Sequence, residues 1–433
     1  MKNKILAALT VATTAVSFNV QATNGDTLIG LGAISRSMGG TGIAHFAGAE
    51  SALKNPALLS KQKGFEVMFG GTYFAPEVTV KKEGSPQDIT AISDADQNII
   101  PEVALSHTLN NGWSMGIGMF GSAGMGTDWR ETAPLVDPTI GAMGLYGMRS
   151  NLMLLKFAMP FAYSKNNWSF GIAPVLQYGS LDLSFTTLNT DQTGALNNPP
   201  TKQVGQGSSY DFGFGYNLGF SYDIPSTGIT FGLMYESAIE MTYDRQISNA
   251  GSAFGYGAPF PGALPNFSDD LEQPAQMGAG FNWTNKKISI TFDAKSILWG
   301  EAKGYKDFGW ENQAVYAFGV EYQFRKLALR FGYNYGKNPI AESTDTTQVV
   351  PSPSAPTNGD VLNTFNQVMF PGITEAHYTA GFGYSFSKHV ILDMAFTFAT
   401  SPEVKVSAQS TGLGNLTVTN DQFAATVGIK YRF

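Results

Sequence analysis

The chain closes on Gln422-Phe423-Ala424-Ala425-Thr426-Val427-Gly428-Ile429-Lys430-Tyr431-Arg432-Phe433. Phe423, Ala425, Val427, Ile429, Tyr431 and Phe433 fall on one parity, and Gln422, Ala424, Thr426, Gly428, Lys430 and Arg432 on the other. Successive strand side chains point to opposite faces, so this stretch reads as a strand with one greasy and one polar face. The pattern recurs upstream. Val390, Leu392, Met394, Phe396 and Phe398 stand opposite Asp393 and Thr397; Leu327, Leu329, Phe331, Tyr333 and Tyr335 stand opposite Lys326, Arg330 and Asn334. Tyr316, Phe318, Val320, Tyr322 and Phe324 face away from Glu321 and Gln323.

A soluble sandwich would alternate too. Two features favour a membrane barrel: large apolar residues fill nearly every greasy position, and aromatics flank the greasy faces as girdles. Segments near 64-82, 98-109, 112-121, 150-163, 167-187, 208-222, 228-243, 271-284, 287-299, 311-324, 326-339, 373-386, 389-407 and 420-433 give about fourteen strands, an even count as bacterial barrels require. Short turns (110-111, 164-166, 223-227, 285-286, 325, 387-388) alternate with long loops (83-97, 122-149, 188-207, 244-270, 300-310, 340-372, 408-419). The expectation is an all-β transmembrane antiparallel barrel, residues 64-433, with both termini periplasmic.

Composition agrees. Charged residues make up 14% of the 433, aromatics 13%, and there are 49 glycines, while mean hydropathy is only -0.07. A net charge of -7 speaks against nucleic acid as a partner. With no cysteine and only His45, His107, His377 and His389, no disulfide framework and no metal site is expected. The acidic pairs Asp269-Asp270 and Asp94/Asp96 read as solvated loop charges, although divalent or lipopolysaccharide-bridging cations would also suit them.

The N-terminus carries Lys2 and Lys4, an apolar run from Ile5 to Phe18, and Val20-Gln21-Ala22. This reads as a secretory signal peptide over residues 1-22, since the run is shorter than the about 20 residues of a spanning helix. The terminal Phe433 fits a barrel-assembly signal, which makes that machinery an expected partner.

Residues 23-63 lack strand alternation. They hold Gly25, Gly30, Gly32, Gly39, Gly40, Gly42 and Gly48, then Asn55-Pro56-Ala57. Gly30-x-Gly32 is not a phosphate loop, because no strand precedes it and no Lys-Ser/Thr follows. A dangling tail should be poor in apolar residues. This one contains Leu28, Ile29, Leu31, Ile34, Met38, Ile43, Phe46, Leu53, Leu58 and Leu59, so it reads as a plug in the lumen, with a short helix over Ala47 to Leu53.

These residues carry a family resemblance. Asn24-Gly25, Gly30-x-Gly32, Ser37-Met38-Gly39-Gly40-Thr41-Gly42 and Asn55-Pro56-Ala57-Leu58-Leu59 resemble the N-terminal hatch of the FadL-type fatty acid transporters, a family that includes TodX-like aromatic hydrocarbon channels. Leu329 to Tyr335 with Pro339, Ala294 to Gln313 with Trp299 and Trp310, Glu375 to Ser387 and the terminal strand resemble it as well. The family's acidic residue ahead of Asn-Pro-Ala is displaced here to Glu50. The resemblance implies passive uptake of hydrophobic molecules, long-chain fatty acids first, across the outer membrane of a diderm bacterium. Capture would fall to apolar external loops and lateral release to a kinked third strand.

Candidate residues follow from both readings. Gly39, Gly40, Asn55, Pro56 and Ala57 mark the hatch. Met125 and Trp129 in loop 122-149, and Phe254, Phe260 and Leu264 in loop 244-270, would bind ligand or pack as a lid. Phe46 of the hatch, and Met119 and Phe120 of the third strand, are further ligand-binding candidates. Gly116, Gly118 and Gly121 mark the kink, or else make room for the plug. Lys156, Lys295 and Arg330 face the lumen and could hold a carboxylate, or could be structural.

A general porin remains an alternative, opposed by the plug, and an outer-membrane lipase a remote one, since no Gly-x-Ser-x-Gly motif accompanies the four histidines. No cofactor is expected. Expected partners are hydrophobic small molecules, outer-membrane lipid and lipopolysaccharide, and a monomer is expected.

Overall fold

The computed structural model describes residues 23–82, 89–131, 147–190, 196–254, 267–348, 357–408 and 414–433. The signal-peptide reading of residues 1–22 therefore lies outside the described residues, as do Phe260 and Leu264.

Fourteen antiparallel strands close into a ring. They are β1 (Phe65–Lys82), β2 (Asn98–Thr108), β3 (Trp113–Asp128), β4 in two pieces (Arg149–Ala158 and Phe161–Lys165), β5 (Trp168–Thr190), β6 (Ser209–Ile224) and β7 (Ile229–Glu236). The ring continues with β8 (Gln276–Thr284), β9 (Ile288–Ile297), β10 (Gln313–Phe324), β11 (Leu327–Gly336), β12 (Ala376–Ser385), β13 (Val390–Thr400) and β14 (Gly414–Arg432). Each pairs with the next, and β14 returns to β1 over a long ladder from Leu416↔Lys82 to Arg432↔Glu66. Closure leaves no unpaired edge toward lipid. Among the described residues no helix is long and apolar enough to cross a membrane.

Alternation places side chains as the sequence requires. On β11, Leu329, Phe331, Tyr333 and Tyr335 are exposed on the outside, while Arg330 and Asn334 are buried within. Short turns are tight: Asn111, Asn166 and Arg325 all adopt positive φ, which asparagine tolerates well and arginine less so.

The differences from the sequence reading are local. The strand read as 112–121 continues to Asp128, past a register shift between Gly121 and Ala123. The strand read as 150–163 breaks at Met159-Pro160, where proline cannot donate to the ladder. The segment 228–243 leaves the sheet at Glu236, and 389–407 divides at Thr400.

Residues 23–62 pack against the inner face. Thr23–Asn24 and Thr27–Leu28 form a minimal hairpin around Gly25-Asp26. Helix α1 (Gly32–Ser37), a 3-10 turn (Gly48–Glu50) running into α2 (Ser51–Lys54), and a second 3-10 turn (Pro56–Lys61) follow. Asn55 is extended, as a residue before proline prefers, and its Oδ1 accepts from Ala57 N at 3.1 Å to start the last turn. At the long-loop end, α3 (Ile247–Ala253) and α4 (Asn358–Met369, with a Thr357/Asp360 capping box) sit on an aromatic cluster of Trp299, Tyr305, Phe308, Trp310, Phe365 and Phe370.

Candidate functional site

The N-terminal segment is held by wall side chains that need its backbone or charges. Asn55 Nδ2 donates to Ile43 O and Phe220 O, and Asn217 Nδ2 donates to Leu53 O. Asp293 Oδ2 accepts from Gly42 N and Ile43 N at 2.8 and 2.9 Å. Arg36 pairs with Glu102 at 2.7 Å and Lys430 with Glu50 at 2.9 Å, all four side chains buried. The displaced acidic residue Glu50 thus has a wall partner.

Wall glycines let this backbone approach. A Cβ on Gly219 would lie 2.0 Å from Asn55 Oδ1, and one on Gly171, its cross-strand partner, 2.3 Å from Ala57 N. Asn55-Pro56-Ala57 therefore sits in a socket made of glycine. Gly39, at φ +70, meets the opposite wall: Asn334 Nδ2 donates to its carbonyl and its N–H to Thr379 Oγ1. Gly40, at φ +80, abuts the carbonyl of Ile29.

The wall itself is interrupted at one place. The β2–β3 ladder runs from Thr108↔Ser114 to Glu102↔Phe120 and stops. Beyond it one residue of β3 is extra relative to β4, a β-bulge at Ser122, and the strand bends. The edge that β2 gives up is taken by the N-terminal segment: Thr27 pairs with Ala123, and Gly124 N donates to Asp26 O at 3.0 Å. The gap closes again where Asp94 N donates to Asp128 O at 2.8 Å.

A cavity of about 260 Å³ occupies this gap. Leu28, Phe74, Pro76, Leu152 and Leu154 line it from the inside, and Ile99, Asn151, Met153, Leu155 and Tyr178 line it from outward-facing positions. Its lining therefore draws on both faces of the wall. An engineered apolar cavity of about 150 Å³ holds benzene, so this one suits a small aromatic or a length of acyl chain.

A smaller cavity, about 40 Å³, lies deeper in the lumen between Leu28, Leu31, Leu53, Met234, Ser122, Lys54, Lys156, Lys295, Glu236 and Gln276. Lys156 pairs with Glu236, and Lys295 Nζ donates to Gln276 Oε1 at 3.0 Å. Lys54 makes no side-chain hydrogen bond or ion pair among the described residues; burial pushes its ammonium down, against the pull of Asp293 and Glu236. The buried Ser122 hydroxyl also lacks a partner here. Leu28 lines both cavities.

The candidates divide accordingly. Met125 and Gly121 line the wall cavity, and Lys156 and Lys295 the lumen cavity. Gly121 faces Ile100 of β2 across the gap, whereas Gly116 makes room for Leu59 and Gly118 for the Phe120 ring. Phe120 is buried inside the ring; Met119, of opposite parity on β3, points away from the lumen. Trp129 is fully buried and spends its Nε1–H on Val368 O, at the end of α4. Phe254 packs edge-on against Phe185 and Phe365 in the lid. Phe46 and Arg330 line a polar cavity of about 230 Å³ toward the short turns, where Arg330 is taken up by Glu321 and Asp393, each at 2.7 Å. The sequence reading missed Lys54, Ser122 and Leu28. A lysine next to Asn55-Pro56 gave no sign of facing a cavity.

Residues 6–354 match the family described as outer membrane protein transport protein (OMPP1/FadL/TodX). The chain belongs to the FadL/TodX family. It is 25% identical over 415 residues to a long-chain fatty acid transport protein of Escherichia coli O6:H1, covering 86% of this chain and 85% of that one. A Pseudomonas aeruginosa FadL homologue superposes with a TM-score of 0.67 at 15% identity, over 94% of this chain and 100% of its own. The Pseudomonas putida toluene transporter TodX gives 0.65 at 19% identity, over 93% and 99%. This FadL/TodX-family chain is an outer-membrane β-barrel that transports hydrophobic compounds and is not an enzyme.

Proposed function

We propose that the chain takes up hydrophobic molecules passively, long-chain fatty acids first among them, and releases them sideways into the outer membrane through the gap beside β3. Residues 23–63 serve as the hatch that keeps the lumen from being an open pore, and the short turns and both termini face the periplasm. The carrying observation is the cavity lined from both faces of the wall between β2 and β3. A greasy solute crossing there need never meet the wet lumen, and its transfer from the aromatic lid into the bilayer keeps apolar surface out of water throughout.

The preference for an acid comes from Lys54, Lys156 and Lys295. Three ammonium groups share one small cavity with Glu236. A fatty acid carboxylate placed beside Lys54 would supply the missing anion, and burying that charge unpaired would be costly. The wall cavity alone, being mostly apolar, would serve a monoaromatic hydrocarbon equally well, which makes the lumen lysines the discriminating feature.

Labelled oleate uptake tests the reading. Intact protein should show saturable uptake, and Gly121→Leu, whose side chain fills the gap against Ile100, should abolish it without raising conductance of hydrophilic solutes. Removing residues 23–63 should produce a non-selective leak. Equal oleate uptake by Gly121→Leu would sink lateral release, and equal hydrophilic conductance with and without 23–63 would restore the porin.

A further inference from the structure

The rim at the short-turn end carries charge of one sign. Segments 61–64, 109–112, 164–167, 224–228, 285–287, 325–326 and 386–389 contain no Asp or Glu. Three acids near this rim are already taken: Asp223 by Lys61 at 2.5 Å, Glu66 by Arg432 at 2.6 Å and Glu321 by Arg330 at 2.7 Å. Lys63, Lys286, Lys287, Arg325, Lys326 and Lys388 are exposed, and none has a carboxylate partner among the described residues. A chain of net charge -7 thus shows an excess of cations at one end. Its exposed acids, among them Asp94, Asp96, Glu240, Glu301 and Asp345, stand at the other.

These cations follow one arc, through the β8–β9, β10–β11 and β12–β13 turns to Lys63, where β14 meets β1. The β2–β3 turn, on the side of the wall gap, and the β6–β7 turn hold none. Successive turns lie two strands apart, which is about 10 Å. Main-chain bonds lace them together: Gln323 N donates to Lys287 O at 2.7 Å, Ser385 N to Lys326 O at 2.9 Å and Arg432 N to His389 O at 2.8 Å. The arc is therefore a fixed arrangement of charge.

Just inside it stand the outward rings of Tyr322, Phe324, Tyr384, Phe386, Tyr431 and Phe433, all exposed. Such a girdle marks the level of the lipid headgroups. The Arg325 guanidinium lies 5.5 Å from the centroid of the Phe324 ring, so at least this cation keeps to the lipid side. Cations one or two residues beyond a girdle reach lipid phosphates, and turns this short give a soluble protein little to grip.

We propose that this arc binds anionic glycerophospholipid in the leaflet that meets the short turns, with a phosphate held between neighbouring turns. The leaflet rests on the orientation proposed above, which places the turns at the periplasmic face; the lipid partner goes beyond the uptake reading. Attraction of basic side chains to anionic headgroups adds up residue by residue and fades within a Debye length. One side of the barrel, away from the wall gap, is thereby fastened to a chosen lipid.

Electron spin resonance on the purified full-length barrel in phosphatidylcholine bilayers tests this, with a trace of spin-labelled phosphatidylglycerol as probe. Phosphatidylglycerol should associate several-fold more strongly than spin-labelled phosphatidylcholine, and added salt should erode the difference. Lys286→Gln combined with Arg325→Gln and Lys388→Gln should bring the two lipids to parity in a barrel still folded by circular dichroism. Lys165→Gln, outside the arc, should keep the preference. Parity in the wild type, or undiminished preference in the triple variant, overturns the proposal. So does loss of preference on adding inorganic phosphate but not chloride at equal ionic strength, which would make this a site for free phosphate. Saturable binding of polyglutamate without any lipid preference would likewise assign the arc to an acidic protein. Because the chain has no cysteine, Lys286→Cys gives a single thiol for an impermeant maleimide on whole cells. Labelling is expected only after the outer membrane is permeabilised. Labelling of intact cells would overturn the orientation and with it the leaflet, a failure separate from that of the lipid preference.

Discussion

Arg36 and Glu102 form an ion pair of 2.7 Å whose side chains are 3% and 1% exposed, at the last rung of the β2–β3 ladder before the wall opens. Arg36 also donates to Gly30 O at 3.0 Å and to the hydroxyls of Thr72 and Thr426. One side chain thus ties the N-terminal segment to β1, β2 and β14. Removing one member strands the other, and such losses in buried pairs cost about 3–5 kcal/mol. Arg36→Met should lower stability by that order in urea unfolding. Arg36→Met combined with Glu102→Leu should recover much of it, because no uncompensated charge then remains.

Gly39 carries a different constraint. At φ +70 its absent Cβ would lie 2.5 Å from Tyr333 O and 2.7 Å from Phe318 O, both backbone atoms of the wall. Gly39→Ala therefore cannot be accommodated by a side-chain rotation. The left-handed conformation alone costs an alanine about 1–2 kcal/mol, and the collision adds displacement of the segment. Faster exchange of amides 38–43 with intact β10–β11 protection would confirm this; unchanged exchange would show that the segment does not depend on that contact.

Trp129 should behave as a strut. Its Nε1–H and the Thr127 hydroxyl both donate to Val368 O, at 3.1 and 2.9 Å, and Ser150 Oγ donates to Met369 O. The last carbonyls of α4 thus find their donors on β3 and β4, as helix ends require. Trp129→Phe keeps an aromatic ring and removes one of the two donors to Val368 O, at a cost of about 0.5–1.5 kcal/mol because Thr127 still satisfies that carbonyl. Early exchange in α4 would be the signature, and reduced oleate binding with α4 protection intact would instead restore Trp129 as a ligand contact.

How much of this was legible beforehand follows from what each feature depends on. The strands were readable because period-two alternation, as in Leu327 to Tyr335, is a property of consecutive residues. The apolar character of the N-terminal segment was readable because Leu28, Ile43 and Leu58 are too greasy for a tail. The bulge at Ser122 was not, since an extra residue is defined only against the register of β4. Nor was the socket of Gly171 and Gly219, two glycines 48 positions apart that become neighbours only when β5 and β6 pair. Arg330 read as a lumen cation, correctly, but its neutralisation by Asp393 required β13 in place.

His45 gives the N-terminal segment a pH response. Burial holds its imidazole below the ordinary value; nearby Glu321 and the Nδ1 contact with Asn282 oppose this, while Arg330 and Lys61 reinforce it. A depressed pKa means that the fold favours the neutral ring. Its stabilising contribution is present above the unfolded value of about 6.5 and is lost as pH falls toward the folded value. Exchange of amides 43–54 should therefore speed up as pH falls below about 6.5. His45→Gln, unable to charge, should flatten that part of the profile. A persisting response would assign it to another group.

Lys54 decides between acid and hydrocarbon. Its ammonium lines the lumen cavity without a hydrogen bond or ion pair among the described residues, whereas Lys156 and Lys295 are engaged by Glu236 and Gln276. If a carboxylate is the physiological guest, Lys54→Met removes a charge-assisted bond of about 1.5–3 kcal/mol, which amounts to about tenfold to a hundredfold in affinity. Oleate binding should fall by that factor, while toluene, which has no charge to place, should bind as before. The same substitution removes an ammonium that burial disfavours, so the barrel itself should not lose stability and misfolding cannot imitate the result. Equal losses for both ligands would mean that Lys54 only shapes the passage. No loss for either would move the acid site elsewhere and leave the wall cavity as a channel for neutral hydrophobic compounds.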